Sequence, residues 1–170
     1  MATINFKSIK TDKYKYFREK ATSGILAFDL ATNTGFAFSE NGKRVFSGSI
    51  NLKYHKKDDR PMVLSHGLYV YETLIRKMNP EQIIYEKPFH RGSGSTLLYG
   101  LAGILEAIAG KYKKPITDIH ASSVRKTLLN NGATNKEDIQ EYLRNLKIPF
   151  KTHDEADAIS VLLSQFYSFS

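Results

Sequence analysis

The sequence contains no cysteine, and this absence excludes several kinds of chemistry. Disulfide bonds, thiolate metal sites and cysteine nucleophiles are impossible, so zinc fingers and zinc-dependent deaminases are excluded with them. The chain also lacks any apolar run of about 18 residues and any signal-peptide pattern. We therefore expect a protein that neither spans a membrane nor is secreted by an obvious route, and the expected location is the cytoplasm.

Acidic residues are scarce compared with basic ones. Lys and Arg number 25 against 17 Asp and Glu, which gives a net charge of +8. This excess favours a polyanion such as nucleic acid as partner, because bound Lys and Arg release counterions from phosphates. On charge alone, a basic but otherwise ordinary soluble protein remains an alternative. The 170 residues, 41% of them hydrophobic, suit a single globular domain.

Residues 1–22 differ in composition from the rest of the chain. Basic residues alternate there with aromatic ones: Phe6, Lys7, Lys10, Lys13, Tyr14, Lys15, Tyr16, Phe17, Arg18 and Lys20. Such a segment can follow a nucleic-acid backbone and stack on bases. The interpretation that we favour is a solvated, partly ordered tail. We therefore predict a basic and aromatic extension over 1–22 and one folded domain over 23–170.

Hydrophobic patterns predict five strands, over residues 25–30, 34–39, 44–50, 83–85 and 115–120. A hairpin turn at Asn41-Gly42 joins the second strand to the third. The order is β-β-β-α-β-α-β followed by helices, which predicts an α/β fold with a mixed five-stranded sheet and helices on both faces. The right-handed crossover rule places the fourth strand beside the first and parallel to it.

The predicted helices are recognised by apolar spacing and capping residues. One covers 61–78, with an apolar stripe that could face the core or a partner, and another covers 96–112. Ser122 or Ser123 is expected to cap a third helix that runs to about Asn130, and Gly132 ends it. Capping boxes at 134–137 and 152–155 predict two more helices. The apolar stripe of the first helix consists of Leu64, Leu68, Tyr71, Ile75 and Met78.

Four acidic residues are candidates for one site. Asp29 ends the first predicted strand and Glu86 follows the fourth, so parallel neighbouring strands would bring both to the same edge of the sheet. Each alone could be a strand-end cap. Asp154 and Asp157 lie one helical turn apart, although acids in a first turn also complement the helix dipole. The capping box alone explains Glu155.

This set of side chains indicates a particular type of cation. Carboxylates without cysteine suit hard ions, so we expect Mg²⁺, with Mn²⁺ as a substitute. Two such ions about 3.5–4 Å apart can serve both sides of an in-line phosphoryl displacement.

Three motifs resemble the RuvC family of Holliday junction resolvases. They are ILAFDLATNTGFA at 25–37, IIYEKPF at 83–89 and DEADAI at 154–159. The resemblance extends from Gly24 to Leu163 and has the family's order and spacing. It implies an RNase H-like fold and a metal-dependent endonuclease that cuts four-way DNA junctions. The altered loop after Glu86 leaves three-way and flap DNA as further substrates. It also implies a location in a bacterial cell or a virus-infected bacterial cell.

The resemblance assigns roles to individual residues. It implies that Asp29, Glu86, Asp154 and Asp157 bind two metal ions, and that Lys136 assists them near the scissile phosphate. Phe89 would stack on bases at the junction centre. The residues expected to contact DNA are Lys87, Phe89, Arg91, Arg125, Lys126 and Lys136. Because a junction has two symmetry-related strands, we also predict a homodimer.

Some features depart from the family pattern and leave alternatives open. The loop after Glu86 is altered, which leaves strict four-way specificity open, and His153 is an additional residue expected at the surface. An actin-like ATPase is another alternative, but that class needs two related domains and the 170 residues here supply only one. Another RNase H-like nuclease, or a non-catalytic branched-DNA-binding protein of this fold, remains an alternative.

Overall fold

The computed structural model is built around a mixed six-stranded sheet. The structure describes residues 7–10, 24–40, 44–55, 57, 59–89 and 95–166. The strand order is β1-β4-β3-β2-β5-β6. The strands are β1 (Lys7–Lys10), β2 (Ile25–Asp29), β3 (Asn33–Ser39), β4 (Arg44–Asn51), β5 (Gln82–Glu86) and β6 (Ile116–Ile119). Five of them correspond to the five predicted strands.

The predicted pairing of the first and fourth strands of the domain is confirmed. β2 and β5 run parallel as neighbours, with Phe28 opposite Tyr85. Asp29 and Glu86 are the next residues along these strands, so they lie at the same edge of the sheet. β3 and β4 form an antiparallel meander with β2.

The sixth strand is β1, which lies in the N-terminal extension, so the expectation of a solvated tail is wrong for these four residues. Lys7–Lys10 pairs antiparallel with β4, with Ile9 opposite Val45. This pairing provides hydrogen-bond partners for backbone groups that β4 would otherwise expose as an edge strand. The rest of the 1–22 extension, the Asn41-Gly42 turn and Arg91 lie outside the described residues.

Helices cover both faces of the sheet, as predicted. They are α1 (Arg60–Met78), α2 (Ser95–Lys111), α3 (Ala121–Leu129), α4 (Lys136–Asn145) and α5 (His153–Ser164). Within the part of the chain that the structure describes, no helix is long and apolar enough to cross a membrane. α1 and α2 pack on one face, around Phe28 and Tyr71, and α3, α4 and α5 pack on the other, around Ala27 and Ile159.

The apolar stripe of α1 serves mainly the core. Tyr71 and Ile75 are buried, and Leu64 and Met78 pack against the same core cluster. The ring of Tyr71 meets that of Phe28 edge-on, with centroids 5.3 Å apart. Leu68 is 48% exposed and lies outside this packing.

Several predicted helix ends are displaced by a few residues. His120, not Ser122 or Ser123, precedes the first turn of α3. The helix ends at Leu129, followed by Asn130 in the left-handed conformation, which agrees with the predicted end near Asn130. The capping box of α4 is formed by Asn135 and Asp138, one residue later than predicted, because Asn135 also satisfies the amide at N3.

Candidate active site

The site begins with an unusually close approach between β3 and the first turn of α5. A Cβ on Gly35 would overlap the backbone carbonyl of Asp154, so only glycine fits there. Gly35 is also the cross-strand partner of Asp29. The close approach therefore brings the first turn of α5 over the end of β2.

Alternation along the strands directs the strand acids towards α5. Ile25 and Ala27 belong to the core cluster beneath α5, and Asp29 continues the same alternation. On β5, Ile84 belongs to that cluster and Glu86 follows it by two residues. Both carboxylates thus face the layer of α3, α4 and α5.

Electrostatic strain concentrates on Asp29, which is only 9% exposed. Burial, together with the negative charges of Asp157, Glu86 and Asp154, raises its pKa from 3.8 to about 8, although Lys136 opposes the change. Burial and Asp157 also raise the pKa of Glu86, against the positive charges of Lys136 and Arg125. The four predicted acids therefore interact as one negatively charged group.

Lys136 is the cation of this group. As the first residue of α4, it places Nζ 2.5 Å from Oδ2 of Asp157. Burial disfavours its charged form, but the hydrogen bond to Asp157 and the charges of Asp157, Asp29 and Glu86 outweigh burial and raise its pKa. Lys136 therefore stays protonated, and a small pocket joins it to Glu86, Arg125 and Asp157.

Asp154 has a separate partner, which the sequence analysis missed. Nδ2 of Asn33, at the start of β3, donates to Oδ2 of Asp154 over 2.5 Å. The two residues are 121 positions apart in the chain. Their pairing holds the carboxylate of Asp154 at the end of the sheet that carries Asp29.

The four acids fit a hard cation by their chemistry more than by their present arrangement. Carboxylate oxygens are the ligands that Mg²⁺ prefers, and a cation would offset the repulsion around Asp29. Yet among the described residues no three His, Asp or Glu side chains are positioned as a metal-binding group. Lys136 engages Oδ2 of Asp157, so an ion bound there requires the lysine to move, whereas Asn33 engages a single oxygen of Asp154 and leaves the other for an ion.

Glu155 differs from the sequence prediction. Thr152 does cap α5, and its hydroxyl accepts from the amide of Glu155. The Glu155 side chain, however, is 2% exposed and accepts from the hydroxyl of Ser47 and from the amide of Lys151. Glu155 therefore ties α5 to β4, which a capping box does not require.

The residues predicted to contact DNA occupy different positions around this edge. Phe89 follows β5 and is 71% exposed, so it is not a core residue. Lys87 forms an ion pair with Asp118 over 3.1 Å, and Lys126 is exposed on α3. Arg125 donates to the carbonyl of Thr134, linking α3 to the segment before α4.

Asn33 and Gly35 are the residues of the site that the sequence analysis did not single out. Both lie inside the 25–37 motif, where a Gly next to buried strand residues signals a close backbone approach. His153 is exposed at the first position of α5, as expected.

Comparisons with known proteins give sequence similarity to one group of enzymes. No protein-family model matches the chain. The crossover junction endodeoxyribonuclease RuvC of Rickettsia typhi is 29% identical over 146 residues, which cover 81% of this chain and 92% of the relative. RuvC of Pseudoalteromonas translucida is 25% identical over 150 residues, covering 86% of this chain and 82% of the relative.

The same group is found among solved structures. Thermus thermophilus RuvC in complex with a Holliday junction substrate has a TM-score of 0.71 at 17% identity, covering 85% of this chain and 94% of that one. The yeast mitochondrial Holliday junction resolvase Ydc2 has a TM-score of 0.59 at 16% identity, covering 92% and 83%. The chain is therefore similar in sequence to RuvC endonucleases and shares their RNase H-like fold.

Proposed function

We propose that this chain is a metal-dependent endonuclease that cleaves the phosphodiester backbone of four-way DNA junctions. The observation that carries the proposal is the convergence of Asp29, Glu86 and Asp157, with Lys136 beside them, at the carboxyl ends of β2 and β5. The names of the relatives support the choice of substrate. Three-way and flap DNA are further candidate substrates because the loop after Glu86 departs from the family pattern.

The proposed cofactor is Mg²⁺, replaceable by Mn²⁺, at two ions per site. Asp29, Glu86, Asp154 and Asp157 would hold the ions. Bound there, the ions lower the pKa of the attacking water and stabilise charge on the leaving 3′ oxygen, so the products carry 5′-phosphates.

Lys136 changes partner in this proposal. It now neutralises Asp157, a role that a bound cation would fill in its place. The ammonium group, which stays charged, then binds a non-bridging oxygen of the scissile phosphate and stabilises charge that develops during attack.

The surrounding residues would bind and orient the junction. Phe89 offers an exposed ring three residues beyond Glu86, where a base unpaired at the branch point can stack. Arg125 lines the pocket beside Glu86 and can approach a phosphate. Lys87 must exchange Asp118 for a phosphate, so its net contribution is smaller than that of a lysine without an acidic partner.

The test is to incubate the protein and Mg²⁺ with labelled four-way, three-way, flap and linear DNA and to map the cuts. We expect paired nicks with 5′-phosphate ends in the four-way junction. Asp29→Asn and Glu86→Gln should abolish cutting and retain binding, because phosphate contacts remain. Glu141→Gln, which alters an exposed acid on α4, is the control and should cut normally.

Full cutting by both acid variants would overturn the assignment of the acids. Tight junction binding without cutting by the unaltered protein at any Mg²⁺ or Mn²⁺ concentration would favour the non-catalytic alternative.

The proposed active form is a homodimer, since paired nicks need two sites related by a two-fold axis. Exposed apolar side chains on α1, among them Met62, Leu68 and Tyr69, are candidates for the contact. Sedimentation should detect a dimer. A stable monomer that cuts both strands symmetrically would contradict this part of the proposal.

A further inference from the structure

The segment between β4 and α1 lies at the same edge of the sheet as the acids. Asn33, which holds Asp154, is the cross-strand partner of Asn51, the last residue of β4. The amide of Leu52 then donates to the carbonyl of Thr32, in the turn that follows Asp29. The chain therefore leaves the sheet beside the turn between β2 and β3.

This segment has a defined shape. Leu52 is fully buried, and its carbonyl bonds to Nδ1 of His66 on α1 over 2.7 Å. The Tyr54 ring stacks on His66, with centroids 3.8 Å apart, and the amide of Lys53 bonds to the side chain of Asn51. These contacts of residues 51–54 hold the start of the segment at this edge.

Its exposed surface is basic. Among the described residues of 53–60, the basic side chains of Lys53, Lys57 and Arg60 and the acidic side chain of Asp59 are exposed. Asp59 caps α1: its carboxylate accepts a hydrogen bond from the amide of Met62. This bond partly offsets the negative charge of Asp59. No ion pair between described residues engages Lys53, Lys57 or Arg60. We call five exposed residues of this segment the β4–α1 patch: Lys53, Tyr54, His55, Lys57 and Arg60.

The distance from the acids suits a polynucleotide strand. β4 is two strands away from β2 in the sheet, which corresponds to about 10 Å at about 4.8 Å per spacing. A DNA strand advances about 3.4 Å per nucleotide along the duplex axis. The end of β4, where the chain enters the patch, is therefore about three nucleotides from a phosphate held at Asp29.

We propose that the β4–α1 patch is a second DNA-contact surface, which binds the phosphodiester backbone about three nucleotides from the scissile bond. The proposal rests on the proposed nuclease function and deepens it. Along the sheet, the patch lies on the β4 side of Asp29, whereas Lys87 and Phe89 follow β5 on the other side. The DNA would therefore be held on both sides of the cut.

The test measures junction binding by fluorescence anisotropy in EDTA across a range of salt concentrations. Removing two phosphate contacts with the double variant Lys53→Gln/Lys57→Gln should lower the slope of log affinity against log salt by about 1.8, at about 0.9 per contact.

The matched control is Lys77→Gln/Lys113→Gln, which removes the same charge. Lys77 is near the end of α1, about 26 Å along the helix from Arg60 at 1.5 Å per residue, and Lys113 precedes β6 at the opposite edge of the sheet. This control should leave the slope near that of the unaltered protein.

A patch variant with the same slope as the control would overturn the proposal. If the unaltered protein cuts and the patch variant keeps its slope, only the patch proposal fails. If the unaltered protein binds with the expected salt response but does not cut, only the nuclease proposal fails. Absence of DNA binding by the unaltered protein would overturn both.

Discussion

Gly35 of β3 lies directly beneath the backbone of Asp154, the second residue of α5. Gly35 is also paired across the strands with Asp29. One glycine therefore sets the spacing between the acids on the sheet and the acids on the last helix.

Gly35→Ala should damage both stability and activity. Its Cβ meets backbone atoms, which cannot rotate away, so α5 must shift and carry Asp154 and Asp157 with it. We expect a loss of about 1–3 kcal/mol in unfolding free energy and a larger relative loss of cutting. Denaturant unfolding and a junction-cutting assay measure the two effects.

Gly103→Ala is the control, since a Cβ there meets nothing within 4 Å. Equal behaviour of the two variants would contradict the close approach.

Asn33→Ala should weaken metal binding without unfolding the protein. It removes the hydrogen bond that orients the Asp154 carboxylate. Loss of such a supporting bond to a ligand typically lowers metal affinity about 10- to 100-fold. The Mg²⁺ concentration needed for half-maximal cutting should rise accordingly, while Asn145→Ala, at the end of α4, should not change it. An unchanged Mg²⁺ dependence in Asn33→Ala would show that Asp154 is not a ligand or needs no support.

Asp29 should make the stability of the metal-free protein fall as pH rises. Its folded pKa of about 8 lies above the ordinary 3.8, so the folded state binds the proton more tightly than the unfolded state. Stability is therefore lost between about pH 4 and pH 8, by an amount on the order of a few kcal/mol. Asp29→Asn should remove this loss.

Thermal melting in EDTA from pH 5 to pH 9 checks this prediction. The melting temperature of Asp29→Asn should exceed that of the unaltered protein by a margin that widens with pH. Adding Mg²⁺ should raise the melting temperature of the unaltered protein more than that of the variant. A margin that is constant across pH would mean that Asp29 is ionised at little cost.

Phe89→Ala should impair junction cutting but not folding. The side chain is 71% exposed, so truncation should avoid the loss of about 3–5 kcal/mol expected for a buried Phe. Loss of stacking worth about 1–3 kcal/mol per base should slow junction cleavage about 10- to 100-fold. Melting and junction cutting are measured on the same preparation, with Glu141→Ala, at an exposed position of α4, as the control. A large drop in melting temperature would mean that Phe89 packs against the fold.

Glu155→Ala should reduce stability with little effect on the chemistry. It leaves the buried hydroxyl of Ser47 and the amide of Lys151 without their acceptor. The expected loss is about 1–3 kcal/mol per unsatisfied buried group. Glu141→Ala, an exposed glutamate, should change little. If Glu155→Ala instead abolishes Mg²⁺-dependent cutting in fully folded protein, Glu155 belongs among the metal ligands.

The sequence by itself determined the order of the helices and of five strands, and it placed Asp29 and Glu86 at the ends of neighbouring parallel strands. These features depend on local rules: hydrophobic periodicity, turn residues and the handedness of crossover connections. Helix ends were less predictable, because adjacent residues such as Thr134 and Asn135 compete as caps.

Only the tertiary structure decided how the acids are held. Asn33 and Asp154 are 121 positions apart, and Ser47 and Glu155 are 108 apart. Such contacts arise when separate elements pack, and no local pattern in either segment announces its partner. Lys136 is a further example: its sequence position suits an exposed first-turn lysine, yet the packing of α4 beside α5 joins it to Asp157. The strand Lys7–Lys10 likewise forms because β4 offers an edge to pair with.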